Sequence, residues 1–274
     1  MTNTDTKPHH PHDEFEEDTR PLVAPCHTLE MDAPLRWLKQ GIGDFRRAPD
    51  LSLLYGFFLT LASWFIAAWA WYVGSFTIII VLFGGFVFLG PALAMGLYSV
   101  SCQLERREKP RMLYCLRQGL KRLGNQMIFA FVLLIVFLVW ARAASMVHIF
   151  MPMESGHGLG SLLTFLGVGS IVGSVFALVV FCAGAFSLPM MMDRDVDAIT
   201  AMITSFNAVL SNKKPMLIWG LIILGAILFG FLTGFIGLMV TLPVIGYATW
   251  RGYRETIIAD DWPQDPETQV LQEH

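Results

Sequence analysis

The sequence predicts an all-α polytopic membrane protein with six transmembrane helices, arranged as three repeats of an interfacial helix and a hairpin. Three observations carry this. First, the 274 residues are 54% hydrophobic and 15% charged, with a mean hydropathy of +0.55, and the charges are segregated. No Asp, Glu, Lys or Arg occurs in 51–104, 123–141 or 215–250, and Glu154 stands alone between Arg142 and Asp193. Blocks this long and apolar suit spans of roughly 20 residues rather than soluble core helices. Second, the basic residues fall in alternate connections. Third, a short apolar and basic motif recurs ahead of the odd-numbered spans.

Residues 1–31 are polar and proline-rich, with DEFEED at 13–18. They predict a disordered tail, and no basic-plus-apolar start marks a cleavable signal peptide. The membrane domain is expected over 32–258, and 259–274 form an acidic tail. Block 51–104 would be about 80 Å long as one helix, so it must hold two spans, about 52–72 and 76–99. The third and fourth spans are expected at about 124–145 and 161–187. Block 215–250 divides near Thr233-Gly234 into a tight hairpin of spans at about 215–232 and 235–254.

Basic residues set the orientation. Arg36, Lys39, Arg46 and Arg47 precede the first span, and Arg106, Arg107, Lys109, Arg111, Arg117, Lys121 and Arg122 separate the second from the third. Arg194, Lys213 and Lys214 separate the fourth from the fifth, and Arg251 and Arg254 follow the last. Only Arg142 falls on the opposite side. The positive-inside rule then places both termini in the cytoplasm, with an outer aromatic belt of Trp69, Trp71, Tyr72 and Trp140. Cys26, Cys102 and Cys115 would be cytoplasmic and Cys182 within a span, so no structural disulfide is expected.

The repeat is visible in LRWLKQGIGDF (35–45) and LYCLRQGLKRL (113–123), and more weakly in ITAMITSFNAV (199–209). Apolar residues at i, i+3, i+7 and i+10 give one stripe on a short helix. Its cations, Arg36, Lys39, Arg46, Arg47, Arg117, Lys121 and Arg122, are candidate contacts for lipid headgroups. In the third copy Ser205 stands where the others have Gly41 and Gly119.

Each even span carries a proline toward its cytoplasmic end: Pro91, Pro189 and Pro243. A proline inside a helix removes a donor and frees the carbonyl four residues back, here those of Val87, Ala185 and Met239. Three kinks are expected, with Ser187 and Thr241 placed to re-satisfy two of the carbonyls. Gly169 with Gly173, Ala92 with Gly96, and Gly230 with Gly234 have the small-xxx-small spacing that lets helices approach closely.

Catalytic or cofactor chemistry finds little support in the sequence. Ion coupling needs ionisable groups at membrane depth, and the spans hold essentially none there apart from Arg142, near an outer end where it reads as an anchor. Haem or copper needs histidines within spans, and His9, His10, His12, His27, His148, His157 and His274 all fall outside mid-depth. His148, Glu154 and His157 on one outer loop lack a regular ligand spacing, and the histidines at 9, 10 and 12 sit in a flexible tail. Asp193, Asp195 and Asp197 could hold a cation, but Asp195 or Asp197 more simply caps the following helix. Phosphate-loop, metalloprotease and nucleophile-elbow motifs are missing.

The segments FVFLGPALAMGLYSVSCQLERREKP and LPVIGYATWRGYRE resemble an uncharacterised family of bacterial integral membrane proteins, the domain of unknown function 2189, over roughly 34–258. The resemblance implies six spans in an inner membrane and no established activity. It also leads one to expect histidine in many relatives where this chain has Tyr247, so no histidine ligand is implied there. The expectation is a non-enzymatic protein with no cofactor and no nucleic-acid partner, a scaffold or accessory protein binding membrane lipid, another membrane protein or a second copy of itself. The alternative is a channel or carrier for a neutral or lipid-like solute.

Overall fold

A computed structural model of the chain describes residues 21–73, 93–111, 114–115, 123–150 and 159–264. Among these every regular element is a helix, and two isolated β-bridges join Cys26 to Ile257 and Arg194 to Gln264. The helices are α1 (Ala33–Arg47), α2 (Pro49–Val73), α3 (93–105), α4 (Leu123–Phe150), α5 (Leu159–Gly184), α6 (Ser187–Asp193), α7 (Ala198–Ser211), α8 (Lys213–Leu232) and α9 (Leu238–Thr256).

Among the described residues four stretches are long and apolar enough to cross a membrane: Pro49–Trp69, Leu123–Met146, Leu166–Asp193 and Lys213–Leu232. Their outward side chains are large and apolar, among them Phe58, Trp64, Phe131, Ile171 and Leu221. In water such a surface would be a liability, whereas against acyl chains it costs nothing, and the helical backbone satisfies its own polar groups. Most of the expected second span, including Pro91, lies outside the described residues, which resume with α3.

The last apolar block is two helices, divided at the expected place. Gly234 has φ +62° and Phe235 φ +70°, and the N–H groups of Phe235 and Gly234 donate to the carbonyls of Gly230 (2.8 Å) and Phe231 (3.1 Å). This pair of bonds ends α8 as a Schellman motif, for which glycine in the left-handed region is the usual residue. Thr233 Oγ1 then accepts from Gly237 N at 2.8 Å, so the same turn starts α9. Trp64 of α2 donates from Nε1 to Gly234 O at 2.8 Å and fixes the turn to its neighbour.

Helix α9 is central and packs against α1, α2 and α8. Glycines let the neighbours in. A Cβ at Gly41 would stand 2.6 Å from Val244 O and 2.8 Å from Ala248 N, and one at Gly56 would strike the Met239 carbonyl. That carbonyl is the one freed by Pro243, which lies inside α9. Of the small-xxx-small residues, Gly96 lies against Tyr55 and Gly230 against Leu238, whereas Gly169 has nothing within 4 Å.

A second packing centre joins α1 to α5–α8. Trp37, wholly buried, meets Trp219 edge-on at 5.7 Å and Phe186 at 6.2 Å. Phe186 sits in the break between α5 and α6, and Pro189 is the third residue of α6. The break strands backbone groups, and Ser205 of α7 serves two of them. Its Oγ donates to Cys182 O at 2.7 Å and accepts from Phe186 N at 3.1 Å.

Two expected details come out differently. Ser187 Oγ donates to the carbonyls of Ala183 and Ala201 rather than Ala185, because α7 crosses directly beneath it. Buried Thr241 Oγ1 has no partner among the described residues, since Gly56 occupies the space beside the Met239 carbonyl. The apolar stripe of α1 is not the face that packs on the bundle. Ala33, Trp37, Gly41 and Asp44 are buried, while Leu35 and Ile42 are 57% and 36% exposed. Packing against α9 needs the small Gly41 at the contact, which turns the leucine and isoleucine outward.

Two extended straps close this end. In the first, Ala24 N donates to Thr204 Oγ1 (3.1 Å), Leu29 N to Asn212 Oδ1 (2.8 Å) and His27 N to Thr256 O (2.9 Å). In the second, Asp195 N donates to Pro263 O (2.9 Å) and Arg194 Nη1 to Trp262 O (2.9 Å). Residues 21–32 and 257–264 therefore pack with the helices, within the stretches expected as the tails 1–31 and 259–274.

Asp197 is the capping acid of the 193–197 segment. Its Oδ2 accepts from the N–H groups of Ile199 and Thr200, both at 3.0 Å. Partial burial pushes its carboxyl up, and those backbone donors more than reverse this, leaving it below the usual carboxylate range. A depressed folded pKa stabilises above the unfolded value of about 3.9, and the gain is lost as pH falls through the lower folded value. Asp197→Ala should therefore cost about 1 kcal/mol at pH 7 in a detergent-unfolding titration, and the difference from wild type should shrink steadily below about pH 4.

Candidate functional site

Charge gathers at the strapped end, around the last two turns of α9. Trp250, Arg251, Tyr253, Arg254 and Glu255 point in different directions, as successive helical residues must at about 100° apart, and between them they find partners on α1, α3 and α6. Such all-round use is possible only because α9 is surrounded.

Asp44, in the last turn of α1, is 2% exposed. It receives Arg251 in a two-point grip, with Nε to Oδ2 at 3.0 Å and Nη2 to Oδ1 at 3.1 Å, and Ser101 Oγ donates to Oδ2 at 2.7 Å. Glu105, at the end of α3, accepts from Trp250 Nε1 at 2.8 Å and lies 3.5 Å from Arg251 Nη1 and 3.6 Å from Arg254 Nε. Asp193, ending α6 and 3% exposed, accepts from Tyr253 Oη (2.9 Å), Arg194 Nε (3.2 Å) and Arg254 Nη1 (3.4 Å). Glu255 completes the ring, accepting from Arg36 Nη2 (2.6 Å) and Trp37 Nε1 (2.8 Å).

The ring is Asp44–Arg251–Glu105–Arg254–Asp193, and it ties α1, α3, α6 and α9 together. Buried ions are costly alone, and here each carboxylate has a guanidinium and at least one neutral donor. Arg254 is held between two acids, with Nε 3.6 Å from Glu105 Oε1 and Nη1 3.4 Å from Asp193 Oδ2. Glu255 followed by Asp32 lifts the pKa of Arg36. Chemically the ring is a clasp: its acids and bases are engaged with one another, and Glu105 faces an open depression of about 360 Å³ lined by Arg47, Leu104, Glu105, Arg107, Glu108 and Arg251.

The predicted site residues are distributed unevenly over this arrangement. Arg36 joins the clasp, and Arg47 borders the depression at 3.6 Å from Asp44. Lys39 and Arg46 are exposed on α1. Arg117, Lys121 and Arg122 lie outside the described residues, as do Glu154, His157 and the side chain of His148. Arg142 is exposed on α4, and Trp71 and Tyr72 are 91% and 85% exposed at the far end of α2. Among the described residues no group of three His, Cys, Asp or Glu is placed to hold a metal ion.

Sequence reasoning treated Arg251 and Arg254 only as topology signals and Asp193 only as one of three acids weighed for a cation, and so missed the clasp. A signal was present. Glu105, Asp193 and Arg251 are each the first charge beyond a charge-free or nearly charge-free block, where burial at a helix end is hardest to avoid and pairing most needed.

Long apolar helices with their ionisable residues collected at one end define an integral membrane protein of the helical class. Residues 78–193 match the model of the family described as predicted integral membrane protein (DUF2189), the family that the sequence resembles, over a shorter stretch than the resemblance itself covers. Among curated proteins and among solved structures no match was found.

Proposed function

We propose that the protein is a non-enzymatic scaffold or accessory component of a bacterial inner membrane, with six spans and both termini in the cytoplasm, which binds lipid or a membrane complex. The observation that carries this is the outer face of α1. Exposed Leu35 and Ile42 lie between exposed Lys39 and Arg46, beside four long apolar helices. An apolar face flanked by cations suits the boundary between acyl chains and anionic headgroups.

Six spans are supported by the charge-free stretch 76–99 and by the turn that sends α9 back along α8. The threefold repeat draws support from matched positions. Trp37 and Ala201, Gly41 and Ser205, and Asp44 and Ala208 are buried pairs, while Leu35 and Ile199 are exposed to 57% and 56%. The helices also engage in cyclic order, α1 on the even helix of the third unit and α7 on that of the second.

The carrier alternative requires a continuous cavity along the even helices. Met190, Met191, Trp250 and Tyr253 are at most 1% exposed there, which favours the scaffold. Affinity purification from native membranes in mild detergent tests the proposal. The expected result is a stoichiometric membrane partner or retained phospholipid, and recovery of the bare protein would refute it.

A further inference from the structure

The depression beside the clasp is unlike the exposed basic face of α1, because it presents both signs of charge. Arg47 and Arg251 come from one side and Glu105, Arg107 and Glu108 from the other, with Leu104 as an apolar wall. Arg251 is committed to Asp44, and Glu105 to Trp250. The side chains of Arg107 and Glu108 make no hydrogen bond or ion pair among the described residues. Arg107 also holds a backbone conformation that side chains rarely adopt, φ +63°, at the turn ending α3. Its N–H donates to Leu104 O at 3.1 Å and that of Glu108 to Gln103 O at 3.0 Å, so the turn itself is fixed. A left-handed turn places consecutive side chains of opposite charge at one rim of the depression.

The position matters as much as the charge. Arg47 ends α1, and the first apolar span begins at Pro49, so the depression opens where a chain enters the membrane. Phospholipid headgroups lie at that level. A purely anionic headgroup would meet Glu105 and Glu108 unfavourably, and a purely cationic ligand would meet three arginines. A headgroup carrying phosphate and primary ammonium a few ångströms apart satisfies both sets. Guanidinium groups bind phosphate through paired N–H donors, and a primary ammonium donates to carboxylates.

We propose that this depression is a binding site for the headgroup of a phosphoethanolamine phospholipid, with Arg107 and Arg47 on the phosphate, Glu108 on the ammonium and Leu104 against the start of an acyl chain. Arg251 contributes field rather than a contact, because Asp44 holds it. The site deepens the lipid-binding role proposed above and depends on it. It assigns that role a headgroup class and a place separate from the outer face of α1.

The test uses the full chain, delipidated in detergent and offered phosphatidylethanolamine, phosphatidylcholine or phosphatidylglycerol of identical acyl chains, with retained lipid counted by native mass spectrometry. Phosphatidylethanolamine should be retained about tenfold better than either other lipid, the worth of one charge-assisted hydrogen bond. Phosphatidylcholine lacks the ammonium N–H donors, and phosphatidylglycerol lacks the cation. Glu108→Gln should reduce phosphatidylethanolamine to the level of phosphatidylglycerol, and Arg107→Ala should lower retention of all three. Both residues lie at an exposed turn, and unchanged thermal unfolding would show that the variants are folded.

Equal retention of the three lipids, or indifference to both substitutions, would overturn the site. So would displacement by soluble glycerophosphoethanolamine at concentrations comparable to the lipid, which would mark a pocket for a free metabolite. Loss of all phospholipid retention on Lys39→Ala with Arg46→Ala, without headgroup preference in wild type, would remove this site while leaving the general lipid-binding proposal intact.

Discussion

Asp44→Ala is expected to destabilise the protein by about 3–5 kcal/mol, the usual consequence of removing one partner of a buried ion pair. Arg251 is 16% exposed and would lose both of its short bonds, and Ser101 Oγ would lose its acceptor. Glu105, at 3.5 Å and already bonded to Trp250, cannot replace that grip. The measurement is a denaturant or mixed-micelle unfolding titration. A second variant separates the pair's net worth from the penalty of a stranded charge. Asp44→Ala with Arg251→Met should recover most of the loss, because an uncharged pair of similar volume needs no compensation. A loss below about 1 kcal/mol for the single variant would place this pair with ordinary surface ion pairs.

Gly56→Leu should be the most damaging apolar substitution. Even one methyl at position 56 would strike the Met239 carbonyl, and carbonyl backbone cannot swing aside as a flexible side chain can. Overpacking of this kind costs about 1–3 kcal/mol where neighbours yield, and the backbone contact pushes the effect to the upper end or beyond. Gly41→Val, against Val244 O and Ala248 N, should behave similarly. Gly43, with nothing within 4 Å of its Cβ position, is the internal control. Gly43→Ala should stabilise α1 by about 0.5–1 kcal/mol, since glycine in an exposed helix only adds entropy to the unfolded chain. Paired melting curves of the Gly43 and Gly56 variants would show whether close approach to α9 or helix propensity governs these positions.

The apolar blocks revealed the long helices because length and freedom from charge are sufficient grounds for a span. The turn at Thr233-Gly234 was legible for a related reason: one helix over 215–250 would have been too long, and glycine marks the left-handed end. The face of α1 was not legible. The stripe of Leu35, Leu38, Ile42 and Phe45 suggests a face for acyl chains but does not say which side meets the bundle, and the close helix contact chooses the smallest side chain, Gly41, over the most apolar ones. The clasp was hidden for another reason. Its members are separated by up to 219 residues, as Arg36 and Glu255 are, and only the central position of α9 brings them together. Local periodicity carries no information about such pairs.

The most direct test of the account is topology, because the proposed role needs the clasp and both straps on the cytoplasmic face of a six-span bundle. Single cysteines introduced at Gly156, Gly234, Arg46 and His274 in a cysteine-free background would be probed with a membrane-impermeant thiol reagent in intact and opened cells. Positions 156 and 234 should label in intact cells, and positions 46 and 274 only after the cells are opened. Labelling of 274 from outside would show that α9 does not return through the membrane, and labelling of 46 from outside would invert the bundle; either result would contradict the account.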